Sequence, residues 1–151
     1  MKLLGHTVLS LTVGGILYSY IGSFTGFLWF LIAGILVDLD HYLDYVREKG
    51  VSFNYIKVYN ICKRGNEHFK KLTLILHSYE FLILLWVGIK LFDLNIVWQY
   101  ASIGLTLHLI IDQLTNPVRP LAYFFCYRLL NKFDSKKIFV DRRVNYVDSE
   151  R

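Results

Sequence analysis

Four apolar runs separated by polar breaks dominate the chain. Leu3–Ile21 is long enough for a membrane-spanning helix, although His6, Thr7, Ser10 and Thr12 interrupt it. Phe24–Val37 is apolar throughout but short. It reaches about 21 Å at helical rise, against a hydrocarbon core of about 30 Å. Leu72–Phe92 is a full-length candidate broken by His77, Ser78 and Glu80. Ile96–Thr115 carries His108 and Asp112 and ends at Asn116-Pro117, because proline cannot continue the helical ladder. Pro117–Leu130 places Tyr, Phe and Leu on one side and Arg119 and Arg128 on the other, which predicts an interfacial amphipathic helix. From Asn131 to Arg151 the chain turns polar and reads as a loose cytoplasmic tail. The pattern predicts an all-α fold: an integral membrane bundle of about four transmembrane helices plus a C-terminal amphipathic helix. The expected division is a membrane-embedded domain over 1–130 and a polar tail over 131–151.

Composition agrees with that pattern. The 151 residues are 54% hydrophobic and 19% charged, whereas a soluble domain is about 25% charged. Too little polar surface remains to cover a core in water. The net charge is +5. In a chain this apolar, loop charge speaks to topology rather than to nucleic acid. With four spans, every lysine and arginine except Lys90 falls on one side. The positive-inside rule makes that side cytoplasmic, with both termini inside. The N-terminus lacks a small-x-small cleavage site, so a cleavable signal peptide is not expected. Cys62 and Cys126 have neither CxxC spacing nor zinc-like partners and read as reduced thiols. The basic stretch Lys57–Lys71 reads as an orientation determinant that meets anionic headgroups.

Ionisable residues inside these runs need an explanation. Each costs about 2.5–3.5 kcal/mol in a membrane helix, yet every run holds a histidine or carboxylate within it or at its end. Asp38 and His41 stand at i, i+3, His77 and Glu80 at i, i+3, and His108 and Asp112 at i, i+4. Each pair shares a helix face. In the predicted topology, His6, Asp38, Asp40, His41, His77, Glu80, His108 and Asp112 all fall in one layer near the cytoplasmic interface. Mixed His and Asp/Glu without cysteine is the ligand chemistry of hydrolytic zinc, with manganese or iron as alternatives. The number of candidates suits two or more ions, or one ion with outer carboxylates orienting its imidazoles. His68 reads as a solvated loop residue.

These residues resemble the membrane-bound metal-dependent hydrolases, short inner-membrane proteins distantly similar to the all-helical zinc-dependent phospholipase C fold. The matching pieces are Gly5-His6-Thr7, then Gly34 through Asp38-Leu39-Asp40-His41, then Leu76-His77-Ser78-Tyr79-Glu80, and His108 through Asp112 to Thr115. Val37 stands where the family usually places proline, and Leu76 where it places threonine. The resemblance implies a metal site more firmly than a substrate.

The expected function is metal-dependent hydrolysis of a phosphoester or similar bond in a lipid-like substrate at the inner (plasma) membrane. His6, Asp38, His41, His77, His108 and Asp112 are the expected ligands. Asp40 is expected as a bridging ligand or an orienting carboxylate, and Glu80 as a ligand or the general base. The alternatives are a metal-ion or proton transporter using the same residues, a metal-binding membrane protein without hydrolase activity, and a purely structural membrane protein. The partners are membrane lipids and an amphiphilic substrate, with no nucleic acid.

Overall fold

The computed structural model describes residues 3–63 and 69–140; His68 and residues 141–151 lie outside them. The described residues are all-helical, with only two isolated bridges and no strand. α1 (Leu3–Ile21) and α2 (Phe24–Leu36) are followed by α3 (Leu39–Lys49) and α4 (Tyr55–Lys63). α5 (Tyr79–Leu91) and α6 (Ile96–Thr115) come next, and α7 (Phe125–Leu130) and α8 (Ser135–Ile138) close the order.

Helix boundaries follow capping chemistry. Ser23, Ser78 and Asn95 each place a side-chain oxygen on a first-turn amide, of Gly26, Phe81 and Val97 respectively. Such caps satisfy donors that the helix itself cannot. One helical run, Phe24–Lys49, is long and apolar enough to cross a membrane. Its apolar part is α2, and charge begins at Asp38. Many large apolar side chains on α1, α2, α5 and α6 face outward, among them Val8, Phe24, Trp29, Leu84 and Trp98.

α2 and α6 touch backbone to backbone. A Cβ on Gly104 would stand 2.2 Å from the Phe30 carbonyl oxygen, and one on Gly26 would meet the Tyr100 ring at 2.7 Å. Only glycine permits this approach, which sets the end of α2 beside His108. Two apolar cores lie at this end of the bundle. One gathers Val37, Leu82, Leu105, Leu109 and Tyr123. The other gathers Tyr45, Val58, Phe69, Leu72, Leu74, Ala122 and Ile138.

Three sequence expectations are corrected here. Leu72–Phe92 is not one helix, since α5 begins only at Tyr79 and residues 72–78 run non-helically. At 13 residues, α5 spans about 20 Å. Pro117–Leu130 is not one amphipathic helix either. Residues 117–124 are turns, and α7 has six residues. Residues 131–140 are not a loose tail. The Ser135 amide bonds to the Lys70 carbonyl at 3.1 Å and Val140 to Pro117 at 2.9 Å, while Ile138 is buried.

The reason residues 70–77 leave the helix lies on α3. Asp40, Asp44 and Glu48 are spaced by four and share one face. Glu48 accepts the amides of Lys70 (3.1 Å) and Lys71 (2.7 Å). Asp44 accepts those of Thr73 (2.7 Å) and Leu74 (3.2 Å). Asp40 accepts those of Leu76 and His77. The Leu72 amide turns the other way, to the Phe133 carbonyl at 2.9 Å. Donors that a helix would have used internally are thus taken by carboxylates 22 or more residues away.

Candidate metal centre

Asp38 stands at the junction of α2 and α3, His77 just before α5, and His108 and Asp112 one turn apart on α6. The fold brings all four together. His77 Nε2 lies 3.6 Å from Asp38 Oδ1 and 3.9 Å from Asp112 Oδ2. His108 Nε2 lies 3.5 Å from Asp38 Oδ1 and 3.6 Å from Asp112 Oδ2. Ligand atoms of Asp38, His77 and His108 all lie within 4.8 Å of one another.

These separations are compatible with ligand atoms arranged around one ion. Direct N–H···O bonds are about 2.7–3.2 Å. Two ligand atoms about 2.1 Å from a tetrahedral ion are about 3.4 Å apart. The observed values are too long for the first and near the second. Among the described residues the buried His77 Nε2 has no hydrogen-bond partner, and it faces the Asp38 and Asp112 carboxylates.

The far side of each ring fixes its orientation. His108 Nδ1 lies 2.8 Å from the Gly34 carbonyl oxygen, which can only accept. His108 Nδ1 therefore carries a proton and donates it to Gly34, which turns Nε2 toward the cluster. His77 Nδ1 faces Asp40 Oδ2 at 3.5 Å, a long contact in the place an orienting carboxylate takes behind a metal ligand. Asp40 also accepts the His77 amide at 3.1 Å, so it holds that residue by backbone and ring together. Its place is behind the cluster, as an orienting carboxylate.

The other expected residues fall differently. The His41 ring lies 4.9 Å from the His77 ring, beside the tight set. Glu80 is taken elsewhere. Its two oxygens accept the Phe125 and Cys126 amides at 2.7 and 2.9 Å, tying α5 to the start of α7. Glu80, expected as ligand or general base, is here engaged by two amides as a tether between helices. His6 lies on α1, but its side chain is outside the described part of the structure.

Sequence reasoning passed over two residues that bear on the centre. Burial pushes the Tyr123 hydroxyl up, and the negative Asp112 pushes it the same way. The hydroxyl stays protonated and donates to Asp112, while it accepts from Asn116 Nδ2 at 3.0 Å. Arg128 is 1% exposed. Burial draws its guanidinium below the ordinary range, and the carboxylates of Glu80, Asp40 and Asp44 oppose that by favouring the charge. The signal available for both was a polar group inside an apolar run.

The site opens on one side. The Asp38 side chain is 32% exposed and that of His77 is 1% exposed. Ile35, Leu36, Leu39 and Leu43, which flank Asp38 in sequence, are all exposed aliphatic residues. Compared with models of protein families, with curated proteins and with solved structures, the chain finds no match in any of the three.

Proposed function

We propose that the chain is a multi-pass membrane protein that uses a divalent metal, zinc first, to hydrolyse a phosphoester or similar bond in a lipid-like substrate. The observation that carries this reading is the four histidine–carboxylate separations of 3.5–3.9 Å, with Asp38, His77 and His108 ligand atoms within 4.8 Å of one another. Asp38, His77 and His108 would hold the ion, with Asp112 beside both imidazoles. Bound there, zinc supplies Lewis acidity toward water and toward a developing oxyanion.

The chain's own residues do the rest. Gly34 and Asp40 keep both Nε2 atoms turned inward. The exposed edge of Asp38 is the side from which substrate approaches, and the aliphatic residues around it suit an acyl chain. His41 lies beside His77 at the edge of the set and is partly exposed. The outward apolar faces of α1, α2, α5 and α6 support immersion in lipid. The positive-inside rule places the termini and the metal layer on the cytoplasmic side.

The test is elemental analysis of detergent-purified protein beside Asp38→Ala and His108→Ala. Stoichiometric zinc in the parent and its loss from both variants is the expected result. Metal-dependent cleavage of bis(p-nitrophenyl) phosphate, or of phospholipid in mixed micelles, then separates an enzyme from a metal carrier. A parent that binds no divalent metal would end the reading.

A further inference from the structure

Among the described residues no carboxylate contacts the buried cation Arg128, and its Nε has no hydrogen-bond partner. Its Nη1 donates to the carbonyls of His77 (2.9 Å) and Ala122 (3.3 Å), and its Nη2 donates to Leu74 (2.8 Å). A guanidinium costs several kcal/mol to bury, so its place on main-chain carbonyls calls for a reason. The segment it grips has its amides on the α3 carboxylates and two carbonyls on Arg128. Peptide dipoles there lie between negative and positive charge, and the metal-site histidine stands at the segment's end.

A second observation points the same way. Leu74 has φ +46°, a left-handed conformation that is strained for a bulky L residue and persists only when its surroundings hold it. Asp44 holds its amide at 3.2 Å and Arg128 its carbonyl at 2.8 Å.

We propose that Arg128 is the positioning residue of the metal centre: by joining the Leu74 and His77 carbonyls it holds segment 74–77 in the shape that presents His77 Nε2. The inference rests on the metal-site reading above. It also makes the C-terminal segment part of the centre.

The experiment measures zinc affinity by competition with a chromophoric chelator, and the visible spectrum of the cobalt-loaded protein. It compares the parent with Arg128→Met, Arg128→Lys and Ile138→Ala. Ile138 packs in the apolar core that also holds Leu74 and Ala122 but makes no bond to the Leu74 or His77 carbonyl, so its variant reports loss of that packing with the guanidinium bridge intact. Arg128→Met is expected to lose about 10–100-fold in zinc affinity, as is usual when a ligand's support is removed. Its cobalt bands are expected to change as His77 leaves the ion. Arg128→Lys keeps the charge but cannot bridge both carbonyls, and it should fall between. Ile138→Ala should melt lower yet keep the parent's spectrum and affinity.

Parental affinity and spectrum in Arg128→Met would overturn the proposal, as would an equal loss in Ile138→Ala. If Arg128→Met does not fold, Arg128→Lys decides: a parental spectrum overturns the proposal and an altered one supports it. A parent that binds neither zinc nor cobalt removes the metal reading itself, and the proposal falls with it.

Discussion

Gly104→Ala tests whether the contact of α2 with α6 sets the geometry of the centre. The added Cβ would stand 2.2 Å from the Phe30 carbonyl oxygen, where ordinary contact begins near 3.4 Å. Backbone must therefore yield by roughly 1.2 Å, the difference between those two distances. The same movement acts on the 2.8 Å contact between His108 Nδ1 and the Gly34 oxygen. Lengthened by that amount, it is no longer a hydrogen bond. Overpacking costs about 1–3 kcal/mol and the lost bond about 1 kcal/mol. A total of about 3 kcal/mol corresponds to roughly 6–12 °C in Tm for a chain of this size. Tryptophan fluorescence melting in detergent reads the stability, and chelator competition reads the zinc affinity, which should fall about tenfold or more as His108 loses its orientation. Gly88→Ala on α5 is the control. Its Cβ meets nothing within 4 Å, so alanine should leave affinity alone and stabilise slightly by helix propensity. Equal behaviour of the two variants would refute the argument from close helix approach.

Three further outcomes follow from the same geometry. Glu80→Gln should leave zinc content at the parental level and lower stability by about 1–2 kcal/mol, because it weakens charge-assisted bonds to the Phe125 and Cys126 amides; loss of metal in that variant would return Glu80 to the centre. Asp40→Asn should lower zinc affinity about 10–100-fold, since Asp40 supports His77 without being in the tight ligand set, and an unchanged dissociation constant would contradict that. Burial pushes the Cys62 thiol up to about 11, with the Asp44 and Asp38 charges pushing the same way. At pH 8 it is almost wholly protonated, so exposed Cys126 should take maleimide first. Labelling at Cys62 should then accelerate as pH rises toward that value, and equal rates at pH 8 would count against its burial.

The legible part of the fold was the part held by local pattern. α1 and α6 have the boundaries that their apolar runs and the Asn116-Pro117 stop predict, and α2 ends one residue early. The pairing of His108 with Asp112 was readable because i, i+4 spacing acts within one helix. The Asp38–His41 spacing was readable too, yet the structure places Asp38 in the tight set and His41 only beside it. Residues 72–78 were misread because their amide partners lie on α3, and an apolar run does not reveal which distant carboxylates will claim its main chain. The clue was present in the four-residue spacing of Asp40, Asp44 and Glu48, but it resembles an ordinary solvated helix face. Arg128 was read as the polar side of an interfacial helix. Its burial depends on residues 131–140 folding back, which composition alone does not suggest.

The grip on residues 70–77 is a grip on peptide groups, and this shapes what substitution can do there. Amides at Lys70, Lys71, Thr73, Leu74, Leu76 and His77 are engaged by acids, and Leu72 by Phe133. Proline at any of these seven places removes a donor, whatever its ring would contact. The outward side chains of Lys71 and Ile75 carry no such burden. A mutational scan of this stretch should therefore be almost blind to side-chain chemistry at those two positions and sharply intolerant of proline at all seven bonded amides, Lys71 included.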